Sequence, residues 1–465
     1  MRRQEIRIGL EVHVALLTQS KLFCPCPTRW QGKEPNTNVC PVCLGMPGSK
    51  PQLNKKALEY AIKVALALNC KINELCYFSR KSYFYPDLAK NFQISQYDAP
   101  LAEDGWIELD GKRIRIMRVH LEEDPARIVY VGPTAAESKY VLVDYNRSGI
   151  PLCEIVTAPD LSSPREARKF LQELASILEY LDVFDSRLEG SLRCDANISL
   201  EGGERVEIKN IAGFKEVEEA LTFEVLRQSR ALEMGKQIER ETRGYDQRAG
   251  VTFSLRGKEF EEEYGYIFEP DLPVIRLRKG YVERIRRSLP ELPQQKFARF
   301  SKLVGPELAK SLVADRDLAL AFERLSKQLE PKLVAVWLGN VLKKILNYHN
   351  LRFRDIAVSD DQLLRLLRAV KEGKVTKYAA EQVLRELVHD STAIAKLFEL
   401  ERITDESELK RLVNKVLEAN TKAVLDYKAG RIEALDYLVG AVMRESKGRA
   451  DPKLVRKLLE ELLGS

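Results

Sequence analysis

The sequence has no long uninterrupted apolar run. A membrane-spanning helix needs about 18 or more consecutive apolar residues, and no such stretch occurs among the 465 residues. The opening MRRQEIRIGL also lacks the apolar segment of a secretory signal. With 45% hydrophobic and 31% charged residues, the composition indicates a soluble, cytoplasmic globular protein. A chain of this length is expected to form roughly two to four domains.

The common nucleotide-binding and nucleophile motifs are missing as well. There is no G-x-x-x-x-G-K-[ST] loop and no glycine-rich kinase loop. Only four histidines occur, and neither Cys153 nor Cys194 has one close in sequence, which disfavours nucleophilic hydrolysis. The net charge of +6, from 75 basic and 69 acidic residues, is too small to indicate nucleic-acid binding by itself. The absence of both glycine-rich loops excludes the commonest ATPase design.

Cysteine is unevenly distributed along the chain. Four of the eight cysteines lie between residues 24 and 43, namely Cys24, Cys26, Cys40 and Cys43. A C-x-C and a C-x-x-C joined by a loop can converge on one tetrahedral ion, so we predict a structural Zn²⁺ site. The alternative is four cysteines without a metal. The other four cysteines lie among apolar residues and are expected to be small buried side chains.

The spacing of apolar residues in the sequence changes near residue 290. Before it, alternating runs predict strands at 6–17, 113–121, 139–145, 191–200 and 205–211, with helices at 54–69 and 163–181. SPRE at 163–166 matches a capping box. After it, apolar residues follow helical spacing, as in DDQLLRLLRAVKEG and PKLVRKLLEELL. We therefore predict an α+β domain over residues 1–290, a helical domain over 291–400 and a small helical tail domain over 401–465.

The short run GLEVHV, residues 9–14, pairs a carboxylate with an imidazole. Side chains alternate along a strand, so Glu11 and His13 lie on one face and the apolar residues on the other. A half-buried strand with an ordinary polar side is the simpler explanation. Other segments of the same domain bear on this choice.

The run 190–211 predicts a hairpin whose turn is EGGE. One face of this hairpin is apolar. The other carries charges of both signs, from Ser191, Arg193, Asp195, Asn197 and Ser199 on the first strand and Arg205, Glu207 and Lys209 on the second.

Two further segments add acidic and basic groups near strand ends. RVHLEEDPAR contains Glu122, Glu123 and Asp124, and YVLVDYNRSGIPLCEIV contains Asp144, Asn146 and Arg147 before a glycine turn. Carboxylates with an occasional imidazole suit Mg²⁺ or Mn²⁺, and Arg and Lys suit the phosphates that such a metal carries. With four such segments in one domain, a metal and phosphate site and a merely charged surface both remain open.

Several ordered blocks resemble one family, the B subunit of the bacterial aspartyl/glutamyl-tRNA(Asn/Gln) amidotransferase (GatB family). They are GLEVHV, NTNVCPVCLGMPG, KSYFYPDLAKNFQISQYDAPL, VHLEED, DYNRSGIPLCEIV, GSLRCDANIS, EIKNI, FEPDLP and YLVGAVMRESKGRADPKLV. The resemblance implies a cradle-shaped catalytic domain whose mixed or antiparallel sheet is similar to the catalytic fold of glutamine synthetase. It also implies a following all-α domain and a YqeY-like helical tail.

The resemblance further implies an enzyme that works within a heterotrimer. This chain, using ATP and Mg²⁺, would phosphorylate the side-chain carboxylate of Glu on tRNA(Gln) or Asp on tRNA(Asn). An amidase A subunit would release ammonia from glutamine to displace the phosphate, with a small C subunit completing the complex. The chain shows nothing similar to the Ser-Ser-Lys constellation of the amidase. Without the amidase subunit, this chain is therefore not expected to use glutamine.

Carrying over the family's metal site implies a specific set of ligands, namely Glu11, His13, Glu123 and Asp195. Strict alternation groups Glu122, and not Glu123, with His120, so the choice of Glu123 assumes that the strand is ending there, and Glu122 remains the alternative. Phosphate or nucleotide contacts are expected from Lys81, Arg147, Arg193 and Lys209, with the ammonia path as a second possibility for Lys81. For each of these cations a surface ion pair is the alternative.

Two other functions stay open at this stage. Residues 276–302 hold nine basic and two acidic residues and could contact a tRNA backbone, although a solvated amphipathic helix explains them as well. A non-enzymatic subunit for tRNA binding and assembly would carry the same acidic faces for structural reasons. An enzyme similar to glutamine synthetase that acts on free amino acids would leave the helical half without an evident purpose.

Overall fold

The computed structural model describes residues 5–132, 138–257, 265–398, 400, 402–403 and 405–464. It divides into two compact units, residues 1–292 and 293–465. The first unit combines sheet and helices and the second is helical, which confirms the predicted α+β class. The predicted boundary at 400/401 involves residue 401, which lies outside the described residues. The division into three domains therefore remains a prediction.

The strands of the first unit are short apart from those at the centre of the main sheet. They are β1 (Ile6–Ala15), β2 (Lys71–Ile72), β3 (Leu75–Cys76), β4 (Ser79–Ser82), β5 (Phe92–Ser95), β6 (Ala102–Leu109), β7 (Lys112–Glu123), β8 (Arg127–Tyr130), β9 (Val141–Asp144), β10 (Pro151–Thr157), β11 (Leu192–Leu200), β12 (Val206–Ile211), β13 (Glu241–Asp246), β14 (Val251–Gly257), β15 (Gly265–Phe268) and β16 (Ile275–Arg276).

Nine of the strands within the described residues form one sheet, in the order β14-β13-β12-β11-β1-β10-β7-β6-β2. Neighbouring strands run antiparallel except β12 and β13, which are parallel, so the sheet is mixed. β11 and β12 form the predicted hairpin, with Gly202 of the EGGE turn at φ 89°. A residue with a side chain is strained at such an angle, which explains the glycine. A three-stranded sheet, β15-β4-β5, lies beside the large one.

One face of the large sheet forms the core of the first unit. Ile8, Leu10, Val12 and Val14 of β1 are at most 1% exposed, as their alternation predicts. They join one hydrophobic cluster with the apolar sides of three helices. These are α1 (Lys55–Ala67), α2 (Pro164–Tyr180) and α3 (Phe214–Glu233). The helices pack on the apolar face, so the opposite face keeps the polar side chains.

The start of α2 shows how local sequence fixes an element. Ser163 is the N-cap, and its hydroxyl accepts a hydrogen bond from the Glu166 N–H at 3.2 Å. The return bond differs from the capping-box expectation, because the Glu166 carboxylate accepts from the N–H of Ser162 at 2.6 Å, one residue earlier. The helix still begins where the sequence predicts, since the Ser163 hydroxyl satisfies the Glu166 N–H, one of the first amides of the helix.

The remaining helices begin with α4 (Lys279–Arg287), which closes the first unit. Those of the second unit are α5 (Pro293–Val304), α6 (Pro306–Val313), α7 (Arg316–Leu325), α8 (Pro331–Val336), α9 (Lys343–Tyr348), α10 (Asp360–Lys371), α11 (Lys377–Leu387), α12 (Glu406–Ala419), α13 (Thr421–Lys428), α14 (Glu433–Glu445) and α15 (Pro452–Leu463). Buried residues between Ile403 and Leu463 form a core cluster of their own. Among the described helices, none has both the length and the apolarity needed to cross a membrane.

Candidate metal centre on the polar sheet face

Two rows of polar side chains cross the middle of the large sheet. The first row runs through Arg193, His13, Glu154 and His120, which are direct partners across β11, β1, β10 and β7. In the second row, Glu11 is the partner of Asp195. Residues directly opposite each other in neighbouring strands share a face. The pairing therefore brings segments that are far apart in sequence onto one surface.

Two of these side chains, His13 and Glu154, converge with that of Glu122 on β7 closely enough to hold one ion. The Nε2 atom of His13 lies 3.5 Å from a carboxylate oxygen of Glu122 and 3.7 Å from one of Glu154. One ligand atom from each residue lies within 4.8 Å of the others. His120 Nε2 contacts the Glu154 carboxylate at 3.0 Å. Both carboxylates are buried, and buried carboxylates require compensating partners.

The electrostatics of the cluster favour a cation. Burial, with the charges of Glu154, Asp195 and Glu207, raises the pKa of Glu11 to about 7. Burial and the neighbouring Glu154 also raise the pKa of Glu122. Burial opposes ionisation of Glu154 too, but His120 and His13 hold its pKa well below the usual value. Carboxylates that repel one another in this way are stabilised by a bound divalent cation.

The structure corrects the expected position of Glu123. β7 does not end before this residue, because Glu123 still pairs with Pro151 and Glu122 with Leu152. Alternation therefore turns Glu123 to the other face, where Lys90 Nζ contacts its carboxylate at 2.5 and 2.7 Å. β7 does end at Glu123, as assumed, but the Glu123 carboxylate contacts Lys90 and does not lie beside His13. Glu122, the alternative, lies there.

Glu11 and Asp195 lie at the edge of the converging cluster. The Asn197 side chain donates to the Glu11 carboxylate at 2.9 Å. Asp195 faces Glu11 across the β1–β11 ladder, and its charge contributes to the raised pKa values of Glu11 and His13. Both residues are thus on the predicted face, one row away from the His13 contacts.

Two of the predicted cations meet at a single buried carboxylate. Arg193 and Arg147 contact opposite oxygens of Asp124 at 2.5 and 3.4 Å. Arg147 also donates to the carbonyls of Pro125 and Ala126 at 3.1 and 3.0 Å. The two guanidinium groups are therefore fixed beside the acidic cluster.

The two predicted lysines lie on different strands of the first unit. Lys209 is on β12, where its Nζ lies 3.8 Å from Glu207. Lys81 is on β4, and its charge acts on buried Glu122. All four predicted cations are thus in the first unit, and Lys81 acts on Glu122 from a strand outside the large sheet.

Sequence reasoning missed Glu154 as a member of the cluster. A single carboxylate within PLCEIVT, an otherwise apolar strand, was the available signal. Alternation alone could not show that β10 lies between β1 and β7, and this order is what puts Glu154 between His13 and His120. His120 was grouped with Glu122 by alternation, but no role followed from it.

The four clustered cysteines converge as predicted. Their sulfur atoms all lie within 4.8 Å of one another, and the Cys40 and Cys43 sulfurs are 3.9 Å apart. Two thiolates on one tetrahedral Zn²⁺ are about 3.8 Å apart, so this spacing fits the ion. The hydrogen bond from Cys24 lowers the pKa of Cys43 to about 4, and nearby Lys21 adds to the effect. All eight cysteines are free, and the four outside the cluster are buried.

Fold and site together define a two-unit α+β protein with a candidate divalent-cation centre on one sheet face and a separate four-cysteine cluster. A family model described as "GatB/GatE catalytic domain" matches residues 6–283. A second, described as "GatB domain", matches residues 320–463. The chain belongs to the GatB family, which confirms the resemblance drawn from its ordered motifs.

Curated relatives are similar over their whole length. Three of them are named as the B subunit of aspartyl/glutamyl-tRNA(Asn/Gln) amidotransferase. The relative from Carboxydothermus hydrogenoformans is 46% identical, covering 100% of this chain and 99% of its own length. The relative from Methanospirillum hungatei JF-1 is 48% identical over 99% and 98%. The relative from Thermotoga maritima is 44% identical over 98% of both chains.

Proposed function

We propose that this chain is the B subunit of a tRNA-dependent amidotransferase, a carbon–nitrogen ligase with glutamine as amido donor. It transfers the γ-phosphoryl group of ATP to the side-chain carboxylate of Glu on tRNA(Gln) or Asp on tRNA(Asn). Ammonia then attacks the acyl carbon, phosphate leaves, and the amide of Gln-tRNA(Gln) or Asn-tRNA(Asn) forms. The observation that carries this proposal is the convergence of His13, Glu122 and Glu154 beside two arginines.

The donor set fits Mg²⁺ or Mn²⁺. Carboxylate oxygens with a single imidazole suit these ions, and neighbouring ligands in an octahedral site lie about 3 Å apart. The observed separations of 3.5 and 3.7 Å from His13 need only a small closure to meet this. We propose His13, Glu122 and Glu154 as ligands, with Glu11 and Asp195 as further oxygen donors. A bound ion would neutralise phosphate charge at the reacting group.

The cationic side chains of this chain would also neutralise phosphate charge at the reacting group. A carboxylate oxygen is repelled by the phosphate that it must attack. Arg193 shares a row with His13, and Arg147 is held against the same carboxylate as Arg193. We assign these two arginines, with Lys81 and Lys209, to binding and orienting the phosphates. Lys81 retains the ammonia path as its second assignment.

Partners follow from the reaction and from the names of the relatives. An acyl phosphate hydrolyses if water reaches it, so ammonia should arrive from an adjoining amidase subunit through a closed path. We propose a cytoplasmic heterotrimer with an amidase A subunit and a small C subunit. The exposed Arg286 and Arg287 of α4, 55% and 79% accessible, are candidates for contacting the tRNA backbone.

The four-cysteine cluster is proposed to hold a structural Zn²⁺. Four thiolates fill a tetrahedral ion and leave no position for substrate. The ion would therefore stabilise the loop from residue 24 to residue 43 without joining the reaction.

The metal assignment is tested with Glu154→Gln and Glu122→Gln in the assembled complex. The neutral amides preserve side-chain volume but remove the charge that holds the ion, so ATP turnover dependent on misacylated tRNA should fall about 100-fold or more. tRNA binding should persist, since neither carboxylate is exposed. Glu201→Gln, in the exposed turn between β11 and β12, is the matched control and should retain turnover.

Glu123→Gln distinguishes the two interpretations of VHLEED. Glu123 contacts Lys90 on the other face of β7, so its variant should keep far more tRNA-dependent ATP turnover than Glu122→Gln. The reverse order would reject Glu122 as the ligand. Full turnover by Glu154→Gln would instead reject Glu154 as a metal ligand.

A further inference from the structure

Lys21 is fully buried, with none of its side chain accessible to solvent. In the described part of the chain its Nζ makes three contacts. It donates to the carbonyl oxygens of Asn38 at 2.8 Å and Tyr145 at 3.3 Å, and it lies 3.6 Å from the sulfur of Cys43. An ammonium group removed from water is costly unless an opposite charge compensates it. Among these three partners, only the Cys43 sulfur can carry that charge.

Cys43, the other partner in this contact, would be stabilised by a positive charge. Four thiolates around one Zn²⁺ leave an excess of negative charge in a partly buried loop, and N–H donors to the sulfurs stabilise such sites. Cys43 sulfur already accepts the backbone N–H of Cys40 at 3.2 Å. Lys21 supplies a second donor and a positive charge at the same sulfur.

The carbonyl contacts of Lys21 join two segments that are far apart in sequence. Asn38 lies in the loop between the two cysteine pairs, and Tyr145 lies in the turn after β9. The same two segments are joined by further hydrogen bonds, of which three show the pattern. They are Asn38 N–H to the Asn146 side chain at 2.7 Å, Asn36 N–H to the Asp144 carboxylate at 3.0 Å and Tyr145 N–H to the Asn36 side chain at 2.7 Å.

This turn leads directly into the polar sheet face. It continues to Arg147, whose guanidinium contacts Asp124, and Gly149 N–H donates to the Asp124 carbonyl at 2.8 Å. Gly149 has φ 85°, and a side chain there would contact Lys21 and Cys43. The cysteine loop, Lys21 and the arginine-bearing turn are therefore one continuously bonded unit.

We propose that Lys21 is a positioning residue of the four-cysteine site, which stabilises the Cys43 thiolate and couples metal binding to the turn that carries Arg147. The inference rests on the Zn²⁺ site proposed above. It predicts that the metal is held less tightly without the ammonium group, and that Lys21 becomes accessible when the metal is removed.

The first test compares Lys21→Met with wild type by chelator competition on the full chain. Methionine keeps most of the side-chain volume and removes the charge, so the apparent Zn²⁺ affinity should fall about 10- to 100-fold. Lys33→Met, at an exposed position of the same loop, is the matched control and should bind Zn²⁺ as wild type does. Equal Zn²⁺ affinity in Lys21→Met and wild type would overturn the inference. Absence of stoichiometric Zn²⁺ from wild type would instead reject the proposed Zn²⁺ site itself.

A second measurement avoids variants, in case Lys21→Met does not fold. Wild-type protein is acetylated with and without prior removal of the metal, and the modified lysines are identified by mass spectrometry. Lys21 should be protected in the metal-bound protein and acetylated after metal removal, whereas Lys33 should react in both states. Lys21 protected equally in both states would contradict the coupling between metal and turn.

Discussion

Asp124 is a single carboxylate shared by two arginines in the interior of the first unit. Its side chain is 2% exposed, while those of Arg193 and Arg147 are 17% and 18% exposed. A buried ion pair contributes little net stability over an apolar replacement, but removal of one partner leaves a charge without compensation. Asp124 thus has a structural task, which is to hold both guanidinium groups beside the acidic cluster.

Asp124→Asn should destabilise the first unit by about 3 kcal/mol, because two partly buried guanidinium groups lose their shared, buried counter-charge. Thermal unfolding followed by circular dichroism should show the loss as a lower Tm. Asp110→Asn is the control, since its pair with Lys169 lies on the surface and the carboxylate is 70% exposed; its effect should stay under about 0.5 kcal/mol. Equal Tm values for the two variants would contradict this role of Asp124.

At this scale, alternation along a strand was the most reliable guide. It correctly put Glu11 and His13 on one face and grouped Glu122 with His120. Glu123 was chosen by analogy, and the continued pairing of β7 through this residue turns its side chain away. Glu154 could not be found in the same way, because its neighbours belong to strands distant in sequence.

Helix α1 illustrates how one side chain can position a whole element. The Asn54 side-chain oxygen caps the helix by accepting from the N–H groups of Lys56 and Ala57 at 2.9 and 3.2 Å. Its amide nitrogen donates to Ser20 O and Lys21 O at 3.0 and 3.3 Å. The same residue therefore fixes the helix start and the backbone that carries Lys21.

Asn54→Ala should lower stability by about 2 kcal/mol, since it removes both the cap and the tether. Asn54→Asp keeps an oxygen for the cap and loses only the amide donor, so about half of that loss is expected. Chemical denaturation of the three proteins under identical conditions measures the difference. Equal losses in the two variants would mean that the cap contributes nothing here.

Element positions were largely predictable, but their arrangement was not. The run at 6–17 corresponds to β1, the hairpin at 190–211 to β11 and β12, and the helical stretch at 163–181 to α2. Each has a local cause, in apolar alternation, in turn glycines or in a cap. The order β11-β1-β10-β7 depends on long-range pairing, which a sequence pattern does not specify. The site is built from that order.

The two units of the whole chain differ in their secondary structure. The first, residues 1–292, has the mixed sheet and the candidate metal centre, while the second, residues 293–465, is helical. Family models match both units, and the curated relatives are similar over nearly their full length. This division agrees with our proposal that phosphoryl transfer belongs to the first unit, which holds the candidate metal centre.

The central claim is that His13, Glu122 and Glu154 form the divalent-metal site. It is tested most directly by anomalous diffraction from crystals of the complex grown with Mn²⁺ and a non-hydrolysable ATP analogue. We predict an anomalous peak about 2.1 Å from His13 Nε2 and from one carboxylate oxygen of each glutamate, a distance typical of a hard octahedral ion. A peak bound by Glu123 instead, or no peak on this face with nucleotide present, would contradict the account.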